Sequence, residues 1–527
     1  MVLRVGIDVG GTHTDAVILD DENNILEAVK TKTTQDVTSG ILDALVKVLE
    51  VSGVDPAEIR AAMFGTTHCT NAIVERRELA RTALIRVGRP GAEAIEPLVE
   101  WPEDLRQAIG DIKHLVHGGH EYTGEEIIHL REDEVRRVAN ELTEKGIESV
   151  AVCSIFSPVN ADHEERVAKI VGEELGPDIP ITLSHEIGSI GLLERENSAV
   201  LNAAVVKVAG KAIEAFERAM QDAGITDAAL YLSQNDGTLM SAAYARKYPI
   251  LTVASGPTNS IRGAAFLTGM KDGIVVDIGG TTTLVGVLVK GFPRESSLSV
   301  EIGNIRTNFR MPDLIATGCG GGTVVSSRDG AVVLGPQSVG YELSEKGLAW
   351  GGDTLTTTDI ALSAGYAQID DPQCDVGNLS ELDDSFVREV VEKIIESLEE
   401  VIDKIKTDPR SMPLVLVGGG GLLIPEERYG TLNGVSRVTR PRSYQYANAI
   451  GAAIAQVSGE IDRIYSLETT GREEVIEDAK RTAVERAIAA GANPDTVEVV
   501  DLEEIALPYL PGNAVRIRVK AAGDLVL

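Results

Sequence analysis

The stretch Ile7-Asp8-Val9-Gly10-Gly11-Thr12-His13-Thr14-Asp15 points to the fold because a close copy of it occurs later in the chain. At an offset of 269 residues the sequence reads Val276-Asp277-Ile278-Gly279-Gly280-Thr281-Thr282-Thr283-Leu284. Each copy follows one apolar run and precedes another, which predicts a strand, a tight turn and a second strand. Two such units, one opening each half of the chain, predict a duplicated domain with a cleft between its halves.

The two Asp-x-Gly-Gly-Thr turns have the composition of phosphate-binding loops. Adjacent glycines let the backbone come close to a ligand, and successive N–H groups form a concavity that suits phosphate oxygens. Asp8, at the end of the first strand, can hold Mg²⁺, usually through water. A plain hairpin turn is the alternative, but two matching copies favour phosphate sites.

Two further glycine clusters follow β-like apolar segments. Gly418-Gly419-Gly420-Gly421 would allow the close approach of an adenosine, or it is a flexible loop between a strand and a helix. The run 317–323, which contains four glycines, is equally ambiguous by itself. The sequence contains no G-x-x-x-x-G-K-[ST] motif, which disfavours a P-loop fold.

Strand and helix signals alternate along most of the chain, which predicts an α/β architecture. Residues 4–33 read as a three-stranded meander and residues 36–49 as a helix, with further helices predicted at 131–145, 162–175, 198–223 and 383–406. We predict three domains. The first, 1–180, carries the first phosphate loop. The second, 181–455, carries the second loop and the glycine cluster at 418–421. The third, 456–527, is a small α/β appendage with a helix at 472–490 and strands at 497–500 and 515–519.

The charge of the chain excludes several classes of partner. Its 527 residues include 49 Lys and Arg against 81 Asp and Glu, a formal net charge of −32. A chain this acidic, without a basic block, is a poor candidate for binding nucleic acid or an anionic membrane surface. Hydrophobic residues at 43% and charged residues at 25% are typical of a globular protein.

The cysteines and the N-terminal sequence predict a cytoplasmic protein. The four cysteines are far apart and form no CxxC or zinc-finger spacing, as expected of reduced thiols. The chain begins directly with a predicted strand and not with a signal peptide, and no uninterrupted apolar run reaches membrane length.

Histidines provide weaker signals. Four of the eight fall between His114 and His129 beside several glutamates, but their spacing matches no standard zinc pattern. We therefore expect a polar loop near the cleft and not a metal site. The neighbours His68 and Cys69 do not by themselves make a nucleophilic pair, and His68 is expected to line a substrate cleft.

Together these motifs resemble the actin-like and hexokinase-like ATPase superfamily, and within it the hydantoinase A/5-oxoprolinase family. The resemblance covers essentially the whole chain and rests on several motifs that occur in the family's order. They are Gly6 to Asp15, Gly65 to Arg76, Gly118-Gly119-His120, Phe156 to Asn160, Ser255-Gly256-Pro257 and Asp277 to Thr281. The resemblance implies two ribonuclease-H-like halves around a nucleotide cleft.

The family resemblance also implies an activity and a set of site residues. It implies ATP-dependent opening of a cyclic amide, of the hydantoin or 5-oxoproline type, by phosphorylation of the carbonyl oxygen and attack of water. Asp8 and Asp277 would position Mg²⁺, and Asp15 would be a base or a second magnesium contact. The residues implied to bind ATP are Gly10, Gly11, Thr12, Thr14, Gly279, Gly280, Thr281, Thr282, Gly418, Gly419 and Gly420. Those implied to face the substrate are Thr67, His68, Asn71 and His120.

The sequence departs from the family pattern at three places. Leu284 stands where the second loop of the family carries an aspartate, and Thr258-Asn259-Ser260 replaces the usual Ala-Gly-Gly. The family's Pro-Gly-Pro-Ala-Cys-Tyr-Gly stretch is replaced around residues 345–352. Loss of a carboxylate beside a phosphate site changes how metal and water are held, so ATP binding transfers more safely than the hydantoin chemistry.

Other functions remain open on the sequence. The resemblance implies a separate hydantoinase B-type partner subunit and a homo- or hetero-oligomer. The ATP-binding subunit of a ketone carboxylase, of the acetone or acetophenone type, resembles the same family. A third alternative is a nucleotide-dependent accessory or sensor protein without turnover. A sugar kinase of the repressor type also uses Asp-x-Gly-Gly-Thr, but its cysteine-rich zinc motif is absent.

Overall fold

The computed structural model describes residues 2–10, 13–32, 37–296, 300–328, 330–454, 456–468, 470–508, 510 and 512–526, with only the backbone at residue 37. The architecture is mixed α/β. The elements up to residue 268 are β1 (Leu3–Val9), β2 (His13–Leu19), β3 (Ile25–Lys32), α1 (Val37–Ser52), β4 (Ile59–Thr66), α2 (His68–Glu75), β5 (Thr82–Arg89), α3 (Glu103–Ile109), β6 (Ile112–His117), α4 (Glu132–Thr143), β7 (Ser149–Ser154), α5 (Asp162–Leu175), β8 (Ile181–Leu183), α6 (Leu192–Asp222), β9 (Ala229–Ser233), β10 (Thr238–Ser241), α7 (Ala242–Lys247) and α8 (Ser255–Thr268).

The remaining elements form a second half and a C-terminal segment. They are β11 (Gly273–Ile278), β12 (Thr283–Val289), β13 (Phe292–Pro293), β14 (Val300–Ile302), β15 (Ile305–Thr307), β16 (Leu314–Thr317), β17 (Thr323–Arg328), β18 (Ala331–Ser338), α9 (Leu343–Lys346), α10 (Thr357–Ser363), α11 (Asp384–Ile405), β19 (Met412–Val417), β20 (Val435–Thr439), α12 (Ala447–Ala453), β21 (Gln456–Ser466), α13 (Arg472–Ala489), β22 (Glu498–Ala506) and β23 (Ala514–Gly523).

The predicted duplication is confirmed by the strand order of the two main sheets. The first sheet contains the path β3-β2-β1-β4-β9, and the second is ordered β13-β12-β11-β19-β20. In both, an antiparallel meander is followed by parallel strands on the side of its first strand. The two repeated sequences therefore occupy equivalent places, each as the first hairpin of a ribonuclease-H-like half.

Each sheet buries one face under long helices. In the first half, apolar residues of α1 and α6, such as Leu45 and Phe216, pack on Ile7 and Phe64 of the strands. In the second half, α11 places an apolar stripe over β11, β12 and β19. That stripe has the three-to-four residue spacing that predicted this helix.

A third sheet, ordered β6-β5-β7-β8, is inserted between β4 and α6. It is fixed to the first half by a buried ion pair, in which Arg86 Nε on β5 lies 2.5 Å from Glu196 Oε2 on α6. Helix α6 begins at Leu192, six residues before the start predicted at residue 198. The predicted start was too late because Glu194, Arg195 and Glu196 form a charged stretch, which does not resemble a buried helix turn.

The two halves are joined where α8 crosses α12. A Cβ atom placed on Gly263 of α8 would lie 2.0 Å from Ala447 O, and one on Gly451 of α12 would lie 1.9 Å from Asn259 O. Such distances are possible only for glycine, so the two backbones are in direct contact. On its other side α12 packs on the first sheet, where Gly6 approaches Ala449 O in the same way. The crossing therefore fixes how the two sheets face each other.

The C-terminal appendage continues the first sheet. Its strands are ordered β22-β23-β21, and β21 pairs in parallel with β10. Lys520 on β23 is buried with its Nζ 2.7 Å from Asp236 Oδ2, in the β9–β10 turn.

The predicted domain limits at 180/181 and 455/456 stay predictions, although β9 and β10, which follow residue 181, hydrogen-bond into the first sheet. Across the described ranges, none of the helices has both the length and the apolar character that crossing a membrane requires.

Candidate functional site

The ends of the two first strands carry the buried aspartates of the repeat. Asp8 is 6% exposed and Asp277 is 8% exposed. Asp8 lies opposite Asp15 in the β1–β2 register, just as Asp277 lies opposite Leu284 in the β11–β12 register. The second hairpin therefore lacks the carboxylate that the first hairpin has at the matching position.

A chain of polar contacts links these two aspartates across the cleft. Asn448 of α12 donates from Nδ2 to Asp8 Oδ2 at 3.2 Å. Ser260 Oγ of α8 lies 2.5 Å from Asp277 Oδ2 and also contacts Asn448 Oδ1. A hydroxyl has one proton, so Ser260 donates to one of these acceptors at a time. The crossing of α8 and α12 thus brings the two predicted hairpins together at one site.

Burial and mutual repulsion favour protonation of these carboxyl groups. Burial and, next, the charge of Asp15 raise the pKa of Asp8 to about 7, and Asp277 adds to this effect. Burial also raises the pKa values of Asp15 and Asp277. When these three groups are ionised, their negative charge exceeds what the protein neutralises there, so a divalent cation would stabilise the ionised forms.

Lys30 also lies at the candidate site, although it belongs to no motif of the sequence. Its Nζ lies 2.5 Å from Asp15 Oδ1, and its charge lowers the pKa values of Asp8, Asp15 and Asp277. Lys30 is the register partner of Asp15 on β3. Pairing the residues of β2 with those of β3 across their connecting turn predicts that Lys30 lies opposite Asp15. Residues opposite each other in a meander share one face of the sheet, so this pairing places Lys30 near the aspartates.

We expect magnesium binding to weaken at low pH. A cation at Asp8 must displace a proton below pH 7, so the magnesium affinity should fall about tenfold for each pH unit below about 7. Without metal, the free energy of unfolding of the protein should instead decrease as the pH rises. Unfolded Asp8 ionises near its ordinary value of 3.8 while folded Asp8 keeps its proton to about 7, so stability decreases as pH rises through this window.

Calorimetric titration of Mg²⁺ between pH 5.5 and 8, together with denaturant unfolding over the same range, measures both effects. In Asp8→Asn the free energy of unfolding should depend less steeply on pH, because the group that titrates has been removed. A magnesium affinity independent of pH would contradict the assignment of Asp8.

The turns of the two hairpins have the same backbone hydrogen bond. Gly10 N donates to His13 O at 3.0 Å, and Gly279 N donates to Thr282 O at 2.9 Å. Gly11 and Thr12, also predicted to bind phosphate, lie outside the described residues. Thr14 is buried on β2, whereas Thr281 and Thr282 are exposed at the tip of the second turn. The equivalent turns support a shared role, and phosphate binding by these residues stays a prediction.

The glycine run at 317–323 packs on the second hairpin. Gly321 N donates to Gly279 O at 3.0 Å, and Gly322 N donates to Gly280 O at 2.6 Å. The hydroxyl of Thr357 lies 2.5 Å from Gly320 O and 2.8 Å from Gly321 O, and it donates to one of them at a time. These bonds satisfy the carbonyl groups of the second turn, so this run supports the turn from behind.

The glycine cluster at 418–421 lies beside Asp277, at the end of β19. β19 pairs in parallel with β11, with Val417 opposite Asp277. Gly418 has φ +82°, and a Cβ atom there would lie 2.1 Å from Asp277 Oδ1. Gly420 approaches Ile278 in the same way, while a Cβ on Gly419 would meet nothing within 4 Å. The cluster borders the site, and its contact with adenosine stays a prediction.

The predicted substrate residues Thr67, His68 and Asn71 lie at the start of α2, directly after β4. β4 pairs with β1 so that Gly65 is opposite Asp8. Thr67 and His68 are half-buried and Asn71 is exposed. Burial lowers the pKa of His68, which leaves its ring neutral at pH 7. These residues adjoin the first hairpin, and their contact with substrate stays a prediction.

His120 lies in the inserted sheet region. Its backbone N–H donates to Ile155 O at 3.2 Å, and its ring packs on His163 with centroids 4.2 Å apart. His114 and His117 lie on β6, so the expected polar loop does not include them. The contacts found for His120 belong to the inserted region, and its role in substrate binding stays a prediction.

Donor atoms of His120, Glu126 and His163 lie within 4.8 Å of one another, the arrangement of a possible metal site. However, Gly119 N donates to His163 Nδ1 at 2.9 Å, so a neutral His163 carries its proton on Nε2. That proton points to Glu126 Oε1 at 3.0 Å. A metal-bound histidine instead donates from its second nitrogen, so this arrangement suits a hydrogen-bonded histidine–glutamate pair.

Comparison with known proteins places the chain in a family. The hydantoinase/oxoprolinase N-terminal region matches residues 4–175, and the hydantoinase/oxoprolinase domain matches residues 195–394. Caprolactamase subunit alpha of Pseudomonas jessenii is 28% identical over 388 residues, which are 69% of this chain and 54% of that protein. The acetone carboxylase beta subunit of Xanthobacter autotrophicus is 24% identical over 459 residues, 79% of this chain and 62% of that protein.

The chain therefore spans about half to three-fifths of the length of these two relatives. The fold is also that of a solved structure, the ATP-dependent caprolactamase from Pseudomonas jessenii. That structure superposes with a TM-score of 0.78 at 19% identity, over 98% of this chain and 87% of the other. With the two matched regions covering more than half of the sequence, the chain belongs to the hydantoinase/oxoprolinase family.

Proposed function

We propose that the protein opens a cyclic amide of the hydantoin or 5-oxoproline type at the expense of ATP, as the A-type subunit of a larger complex. The observation that carries this proposal is the meeting of Asp8 and Asp277 through Asn448 and Ser260. It supports a single phosphate and magnesium site formed by both halves, as a phosphoryl-transfer enzyme requires.

The residues of the site suit a hydrated divalent cation carrying a nucleotide. Buried carboxylates with raised pKa values gain most from a nearby positive charge, and magnesium prefers oxygen ligands and keeps several waters. Asp8 and Asp277 would hold this ion between the two turns. The backbone N–H groups of the turns, apart from those of Gly10 and Gly279, which donate within their own turns, would face the phosphates. Lys30 would balance the remaining charge on Asp15.

The chemistry explains why ATP is needed. A cyclic amide is a weak electrophile, and transfer of the terminal phosphoryl group to its carbonyl oxygen turns that oxygen into a leaving group. Water then adds to the carbon, and the ring C–N bond breaks as the nitrogen takes up a proton, which leaves an acyl phosphate. A second water hydrolyses this acyl phosphate to the open-chain carboxylate and inorganic phosphate. The protein contributes mainly the positioning of the reactants and the neutralisation of charge.

A partner subunit is part of the proposal. Two of the relatives are named as subunits, alpha in the caprolactamase and beta in the acetone carboxylase. Both are longer than the region they share with this chain. We therefore propose a hydantoinase B-type partner that completes the substrate site.

The test combines purification with an assay of ATP hydrolysis. We expect a partner protein to co-purify with the chain. Hydantoin or 5-oxoproline should then stimulate ATP hydrolysis by the complex at least about tenfold over the rate without substrate. Asp20→Asn, which alters an aspartate of the β2–β3 turn that accepts from Asn24 N at 2.8 Å, serves as a control that should keep the stimulation.

Two other results of this assay would contradict the proposed function and identify a different one. Stimulation only by a ketone together with bicarbonate would identify a ketone carboxylase, a reaction supported by the similarity to the acetone carboxylase subunit. A low rate of hydrolysis that no substrate changes, with nucleotide bound, would identify an accessory or sensor protein.

A further inference from the structure

The side chain of Asn259 is fully buried, yet its amide makes no hydrogen bond to any described residue. Its exposed fraction is 0%, and both Oδ1 and Nδ2 lack a partner. Buried amides are nearly always paired, because leaving one unpaired forfeits the hydrogen bonds it makes with water in the unfolded chain. An unpaired amide therefore calls for a ligand or a bound water at this position.

Asn259 lies beside Asp8. A Cβ atom placed on Gly65 of β4 would lie 2.5 Å from Asp8 Oδ1 and 2.7 Å from Asn259 Nδ2, so both side chains pack over the same glycine. The two ends of an amide are interchangeable by a flip, so either its oxygen or its nitrogen can face Asp8. The unpaired amide is thus directed into the region of the first hairpin.

The next residue of α8 serves the other hairpin. Ser260 Oγ lies 2.5 Å from Asp277 Oδ2, whereas Asn259 lies on the side of Asp8. Consecutive residues of a helix project about 100° apart, so neighbouring residues of one helix can lie beside both aspartates. Helix α8 begins close by, where Ser255 Oγ donates to Thr66 O at 3.3 Å. The sequence departs from the family pattern at Thr258-Asn259-Ser260. Two of these residues, Asn259 and Ser260, therefore lie beside the aspartates of the two hairpins.

We propose that the Asn259 carboxamide is a positioning residue of the magnesium site, where it binds a water of the hydration shell of the cation held by Asp8. The inference rests on the proposed function, since it needs a divalent cation at Asp8. Magnesium keeps several of its waters when it is bound by one or two carboxylates. An amide oxygen accepts a hydrogen bond from such a water, which satisfies the amide and orients the cation.

The variant Asn259→Ala tests this assignment. We expect the affinity for Mg²⁺ with a non-hydrolysable ATP analogue, measured by calorimetry on the full chain, to fall about 10- to 100-fold. The affinity for the analogue without magnesium should stay the same. The thermal unfolding midpoint without ligand should fall less than in a variant that truncates a paired buried amide, because both substitutions lose packing but only the second loses hydrogen bonds.

Asn202→Ala is the matched control. Asn202 is also 0% exposed, but its amide is paired with Thr182 Oγ1 at 3.0 Å, Lys247 O at 3.0 Å and Ile250 N at 3.1 Å. We expect this variant to lower the unfolding midpoint by about 2 °C or more and to leave the magnesium dependence intact. A midpoint lowered equally in Asn259→Ala would show that Asn259 has a structural partner, and would overturn the inference.

The failure of this inference can be told apart from that of the proposed function. If Asn259→Ala binds the magnesium complex like the unaltered protein while Asp8→Asn does not, only the role of Asn259 is wrong. If both variants bind it normally, the proposed function is wrong as well. Should Asn259→Ala not fold, Asn259→Asp provides the test, because a carboxylate added beside Asp8 should tighten the binding of Mn²⁺ alone about tenfold. Unchanged Mn²⁺ binding in that variant would overturn the inference.

Discussion

Replacing Asp8 with asparagine is expected to weaken the binding of the magnesium–nucleotide complex by at least about 100-fold and to reduce ATP hydrolysis by a similar factor. The reason is electrostatic. Asp8 is 6% exposed and shares its site with two further acidic groups, so a cation there gains a direct partner and relieves their repulsion. An amide has nearly the same shape but offers no charge.

Asp8→Asn should leave the fold intact, which makes a loss of binding interpretable. The asparagine oxygen can still accept the hydrogen bond that Asn448 donates. Above pH 7 the variant should be at least as stable as the unaltered protein, since it no longer buries a carboxylate. Calorimetry with and without magnesium, together with denaturant unfolding, measures both quantities. Unchanged affinity in calorimetry would remove Asp8 from the cation site.

Replacing Gly451 with alanine is expected to lower the free energy of unfolding by about 3 kcal/mol or more. The added methyl group would lie 1.9 Å from Asn259 O and 2.6 Å from Asn259 C. These are backbone atoms of α8 and cannot rotate away, so the two helices must separate. Because α8 carries Ser260, the same shift should also weaken nucleotide binding.

Gly210→Ala is a matched control for that substitution. Gly210 lies within α6, and a Cβ atom there would meet nothing within 4 Å. Alanine is favoured over glycine inside a helix, so this variant should gain up to about 1 kcal/mol. Denaturant and thermal unfolding of the two variants should therefore differ in sign. Equal midpoints for Gly451→Ala and the unaltered protein would contradict the close crossing of α8 and α12.

Local elements were predicted well where the signal is local. The predicted helices at 131–145, 162–175 and 383–406 match α4, α5 and α11 to within two residues at each end. Their apolar residues recur with helical spacing on one face, so periodicity alone is enough to find them. The strand β21 was not predicted, because its half-buried pattern becomes meaningful only once it pairs with β10 and β23.

Site residues were predictable in proportion to how local their signal is. Asp8 and Asp277 stand in a repeated motif that is visible in the sequence. Lys30 was within reach of register counting, since it lies opposite Asp15. Asn448 has no such signal, because it lies 440 positions from the aspartate to which it donates.

The sequence by itself determined the duplicated α/β halves and the two aspartates of the repeat, because strands, turns and helices follow from side-chain pattern and backbone preference along the chain. Only the tertiary structure decided that the two hairpins meet, and that Asn448, Ser260 and the unpaired amide of Asn259 lie between them. The physical reason is that these contacts depend on the close crossing of α8 and α12, where glycines let two distant segments of backbone touch. Packing of this kind depends on the three-dimensional fit of surfaces, and no periodicity along the chain records it.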